Sequence, residues 1–87
     1  MTDRYRVEVA RRAVKAIATL PRHEQRRVQA AIELLSQTPR PPGCVAMVGE
    51  QSTYRVRIGD YRVVYEIHDR LLLVQVVRVG HRKSVYR

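Results

Sequence analysis

At 87 residues the chain has room for one small domain, residues 1–87, and two are excluded on size. Lys and Arg total 17 against 8 Asp and Glu, a formal charge of +9, and 15 of the 17 are Arg, the side chain that grips phosphate with a planar fork; an anionic partner is expected. The single cysteine, Cys44, excludes an internal disulfide, and with no leader and no long apolar run the expectation is a cytoplasmic protein without a membrane partner.

Tyr5, Val7 and Val9 alternate with Arg4, Arg6 and Glu8, which predicts a half-buried first strand. From Ala10 to Leu20 the apolar positions change to helical spacing, with Ala13, Ile17 and Leu20 on one face. Pro21 breaks that run. A second helix is predicted over 22–37, with Val28, Ile32 and Leu35 inward, so the two form a hairpin. The Pro-rich stretch 38–43 cannot continue a helix. The rest reads as sheet: a weak uncharged strand at 44–48, strong strands at 54–58 and 61–67, and an apolar strand at 71–79. Gly59-Asp60, a Gly-first pair between the two strong strands, suits a type II′ hairpin. With no Trp or Phe, the core must come from Val, Ile, Leu, Ala and the five Tyr. The order βααβββ is α+β: a mainly antiparallel sheet with an N-terminal helical hairpin packed on one face.

The two-residue turn sets a register: Ile58 faces Tyr61, Arg57 faces Arg62, Val56 faces Val63 and Arg55 faces Val64. Tyr54, Val56, Ile58, Tyr61, Val63, Tyr65 and Ile67 then share the side the helices cover, and Arg55, Arg57 and Arg62 share the other. Opposed like charges on a sheet cost a few tenths to about 1 kcal/mol when nothing negative is bound, so a phosphate explains the cluster better than stability does. Arg78 joins the cluster only if the turn near residues 68–70 has odd length or the strand carries a bulge. The tail 80–87 begins where the last strand ends, which would bring a His, an Arg and a Tyr to the edge of the same face.

The run Tyr-Arg-Val-Arg-Ile-Gly-Asp-Tyr-Arg-Val-Val-Tyr-Glu-Ile at 54–67, followed by Val-Gly-His-Arg-Lys-Ser-Val-Tyr-Arg at 79–87, resembles the RelE branch of the RelE/ParE toxin superfamily. The likeness extends to the Ala-Arg-Arg-Ala-Val-Lys helix, the Leu-Pro break and the Pro-rich loop. It implies a RelE-like fold and a toxin of a type II toxin–antitoxin pair that enters the 30S A site of the ribosome and cleaves messenger RNA. A small acidic antitoxin is the implied partner. The resemblance places phosphate-binding residues at Arg55 and Arg57, the transition-state arginine at Arg62, a second catalytic arginine at Arg82 and the tail tyrosine at Tyr86. Glu50 and His81 resemble the acid–base pair of some relatives, with Val48 where a Lys is expected. Arg78 and Lys83 complete the RNA-binding set.

The chemistry implied is attack of the ribose 2′-oxygen on the adjacent phosphorus, giving a cyclic phosphate and a 5′-hydroxyl end; RNA supplies the nucleophile, so no metal or cofactor is expected. His23, His68, His81 and Cys44 have no metal-ligand spacing. Arg55 stands where relatives have a Lys base, and a guanidinium does not readily give up its proton, so Arg55 is cast as a phosphate clamp. Glu50 or His81 is then the base, and His81 is favoured because imidazole titrates near neutral pH. Two alternatives are a ParE-like inhibitor of DNA gyrase without nuclease chemistry and an inactive toxin acting as a corepressor with its antitoxin.

Overall fold

The computed structural model describes residues 4–81. In chain order these form β1 (Arg6–Val9), α1 (Arg11–Ala18), α2 (Arg22–Leu34), β2 (Val45–Ala46), β3 (Thr53–Ile58), β4 (Tyr61–His68), a 3-10 turn (Asp69–Leu71) and β5 (Leu73–His81). One sheet has the order β1-β5-β4-β3-β2, in which only β1 and β5 run parallel. This is the expected α+β arrangement. Among the described residues no helix is long and apolar enough to cross a membrane.

Ala13 and Ile17 of α1 meet Val28 and Ile32 of α2, together with Leu35, over a sheet face carrying Val56, Val63, Tyr65, Ile67, Val74, Val76 and Val79. The apolar spacing of both helices therefore reads out as one core. Gln25 ties the hairpin, its side-chain amide donating to the carbonyls of Ala18 and Leu20 at the end of α1, where the backbone has run out of helical donors. Tyr65 is the largest fully buried side chain, and Tyr5, Tyr54 and Tyr61 pack against the same core, as their positions in the sequence predict.

Several boundaries differ from expectation. The second helix ends at Leu34 instead of residue 37, because Ser36 and Gln37 bond back three residues into tight turns. The segment 44–48 contributes only the two-residue β2. The last strand begins at Leu73 and continues to His81: Asp69–Leu71 are a 3-10 turn, Leu71 is exposed, and Leu72 closes the turn at φ +49.

The Pro-rich loop is clamped onto this frame. The Tyr65 hydroxyl donates to the Pro39 carbonyl at 2.9 Å, and Arg40 pairs with Asp69 at 2.9 Å while its Nε donates to the Tyr54 hydroxyl. Tyr5 donates to the same Asp69 carboxylate at 2.6 Å. The Arg40 and Tyr5 hydrogen bonds hold the Asp69 carboxyl down to about 2. A depressed carboxyl stabilises the fold fully above its unfolded-state value and loses that contribution as pH falls toward 2. We expect the stability gap between wild type and Asp69→Asn, followed by urea melts, to stay constant from pH 8 to pH 5 and to close between about pH 4 and pH 2. A gap that persists at pH 2 would refute the ion pair as its source.

Candidate functional site

The β3–β4 hairpin has the register that the sequence predicts, Ile58 with Tyr61, Arg57 with Arg62, Val56 with Val63 and Arg55 with Val64. Gly59 adopts φ +61 and Asp60 is not left-handed, the type II′ pattern. Arg55, Arg57 and Arg62 thus occupy the sheet face away from the helices. Arg57 is tied to the hairpin tip by its Nε, which donates to the Gly59 carbonyl at 2.8 Å. A Cβ at Gly59 would sit 3.0 Å from Arg27 Nη1 as well as demand a left-handed side chain. Gly59→Ala should therefore cost about 1 kcal/mol or more, read as a shift in denaturant midpoint. It should also loosen Arg57.

Arg78 comes to this face through a bulge. Val64 pairs with Arg78, but Tyr65 pairs with Val76, so Val77 has no opposing residue and the parity of β5 changes there. Without the bulge Arg78 would enter the core. With it, Val74, Val76 and Val79 are all buried and the guanidinium stays outside. The Val77 carbonyl receives the Nε of Arg12, which extends from the start of α1, beyond the point where β1 stops. Arg55 and Arg78 now flank the buried Val64 from two sides, about 10 Å apart across three strands. Arg62 is paired with Gly80, which adds no side chain from β5.

The connection between β2 and β3 folds over the same face. Gly49 and Ser52 adopt φ +81 and +67, Met47 donates its amide to Thr53, and the Ile67 amide donates to Ser52. Together Arg12, Met47, Glu50, Val64, Glu66 and Arg78 line a concavity of about 340 Å³. Two guanidinium groups and two carboxylates around an apolar floor can hold a phosphate and accept a proton in the same space.

His81 departs from expectation. It is the last residue of β5, it pairs with Tyr61, and its ring meets the Tyr61 ring edge-on at 5.9 Å. The bulge that turns Arg78 out leaves His81 with the parity of Tyr61, so among the described residues the arginine face does not gain it. Arg82, Lys83 and Tyr86 lie outside the described residues. Glu66 and His68, in contrast, have no role assigned from the sequence, yet they share the parity of Arg62. His68 Nε2 lies 3.2 Å from Glu66 Oε1 and 3.1 Å from Gln75 Oε1, and Gln75 donates to Glu8 at 3.4 Å. Alternation along β4 is the signal that could have found them.

Residues 7–86 match the ParE toxin family of the type II toxin–antitoxin system parDE. The chain belongs to that family. Within the wider RelE/ParE superfamily, this toxin is 28% identical over 89 residues to RelE1 of Methanocaldococcus jannaschii, a candidate toxin, with 97% of each chain covered. Its fold matches a chain of the RelE–RelB complex of Pyrococcus horikoshii at a TM-score of 0.82, with 29% identity over 98% of this toxin and 100% of that chain. It also matches the RelBE2 toxin–antitoxin complex of Mycobacterium tuberculosis at 0.73, with 28% identity, covering 91% and 99%.

Proposed function

We propose that this toxin is a ribosome-dependent endoribonuclease that cleaves messenger RNA in the A site and is held inactive by a cognate acidic antitoxin. One observation carries the reading: Arg55, Arg57, Arg62 and Arg78 converge on one sheet face beside a concavity that also holds carboxylates. Arg55 and Arg57 grip the backbone, and Arg78 holds the phosphate from the other side of Val64. Arg62 stabilises the extra negative charge on the phosphoryl oxygens, a role for which a preorganised guanidinium is suited. Arg82 keeps the catalytic part that the resemblance gives it, Tyr86 assists the leaving oxygen by a hydrogen bond, and Lys83 contributes to RNA binding.

A guanidinium does not accept a proton, so the base is not Arg55. It is a carboxylate of the concavity, where Glu50 has its place, rather than His81, which meets Tyr61. The antitoxin partner is supported by the two solved relatives named above, each a toxin–antitoxin complex, and by the +9 charge, which an acidic chain would neutralise.

The test is incubation with translating ribosomes and mapping of message ends by primer extension, with breaks expected at A-site codons only when the toxin is present. The family match to ParE toxins favours a second reading, a gyrase inhibitor without nuclease chemistry. Intact message together with inhibited supercoiling by purified gyrase would replace the first reading with the second.

A further inference from the structure

We infer that Glu66 is the residue that takes the proton of the attacking 2′-hydroxyl, and that His68 is the positioning residue that holds it. The inference rests on the RNA-cleaving reading above.

Four arginines on this face can bind phosphate, but a guanidinium does not serve as base, so the proton goes to another group on the same face, at the concavity that Arg78 lines. Glu50 and Glu66 both line it. Glu50 sits on an exposed turn, one residue after a left-handed Gly49 and two before a left-handed Ser52. Glu66 sits inside β4, two residues before its end, with its backbone paired on both sides, to Thr53 and to Gln75, so its Cα is fixed by two ladders. A base must hold its geometry within fractions of an ångström, which favours the strand over the turn.

The side chain is fixed as well. Only the amide nitrogen of Gln75 can donate to the Glu8 carboxylate, so the amide oxygen of Gln75 faces His68. Both neighbours of His68 Nε2, the oxygens of Gln75 and Glu66, are then acceptors, and Nε2 carries the proton. His68 therefore donates to Glu66 Oε1. The chain Glu8, Gln75, His68, Glu66 crosses three strands and ends on a carboxylate that retains acceptor capacity, since a carboxylate offers about four lone-pair sites.

In the step, the 2′-oxygen bonds to phosphorus while its proton passes to a Glu66 carboxylate oxygen. The bond from phosphorus to the 5′-oxygen breaks, and that oxygen takes a proton from water. The hydroxide so formed removes the proton from Glu66, which returns the carboxylate. The ionisable groups facing Glu66 are His68 on its own strand, Arg78 on β5, Arg55 diagonally on β3, Glu50 from the connection before β3 and Arg12 from α1.

The experiment measures single-turnover cleavage of ribosome-bound message, against pH, together with ribosome binding and thermal melts. Glu66→Gln is expected to slow cleavage about 10²-fold or more with binding unchanged, and to abolish the acid limb of the rate profile on which the carboxylate ionises. Glu66→Asp should recover part of the rate. His68→Ala should slow the wild type about 10-fold and have no further effect in a Glu66→Gln background, a dependence that a purely structural role would not produce. The inference is overturned if Glu66→Gln melts as the wild type does and cuts at the wild-type rate while Arg62→Ala is inactive, because the nuclease reading then stands without this base. It is also overturned if Glu50→Gln alone removes the acid limb. Intact message with the wild type brings down both readings at once.

Discussion

Replacing Arg62 with Ala is expected to lower the single-turnover rate of message cleavage by about 10²–10³-fold while leaving the melting temperature unchanged or slightly raised. The two halves of this result have separate causes. Arg62 stands directly opposite Arg57 on the sheet, with Arg55 diagonal to it, so removing its charge relieves a repulsion of a few tenths to about 1 kcal/mol. Its directly paired neighbour on β5 is Gly80, which has no side chain. A phosphate lying between the like charges offsets the cost of assembling them, and the transition state carries more negative charge there than the ground state does. Cleavage should therefore fall far more than ribosome binding. A matched loss of melting temperature and activity would instead make Arg62 a structural residue and remove it from the mechanism.

The second large effect concerns the core. Tyr65 is fully buried on the central strand β4, its ring lies 6.1 Å from that of Tyr54, and its hydroxyl donates to the Pro39 carbonyl. Burial pushes the hydroxyl's pKa well above its ordinary value, so the group remains a donor across the accessible pH range. Truncation to Ala should cost about 3–5 kcal/mol, because it removes the largest fully buried side chain of the core and leaves a cavity among its aliphatic neighbours. Tyr65→Phe keeps the ring and removes the donor, leaving the Pro39 carbonyl without that partner. A loss of about 1–3 kcal/mol is expected, measured by urea denaturation. Since Pro39 leads into the Arg40 and Asp69 clamp, the Phe variant should also speed proteolysis in the Pro-rich loop. Equal stability of the Phe variant and the wild type would mean that the loop is held by Arg40 alone.

The arginine face is legible in the sequence because a strand has a period of two and a Gly-first two-residue turn leaves one register. Those two facts put Arg55, Arg57 and Arg62 together and the tyrosines opposite. The helical hairpin is legible for a similar reason: Ala13, Ile17, Val28, Ile32 and Leu35 recur at helical spacing, and Pro21 divides them. The same alternation also contains Glu66 and His68. Their role is not legible there, because a lone acid and a turn-edge His carry no signal until Gln75 and Glu8 are seen beside them.

The basic charge and the three arginines on one face are thus determined by sequence alone, through local geometry. Whether a fourth arginine joins them is not. Four residues separate His68 from Leu73, an even number that by itself directs Arg78 into the core, and only the bulge at Val77 turns it outward. The fold makes that choice because burying Val79 and solvating a guanidinium is far cheaper than the reverse, and because Arg12, 65 residues away, caps the carbonyl at the bulge. The same bulge assigns His81 to the side of Tyr61, while Glu50 and Glu66 line the concavity together with Arg78.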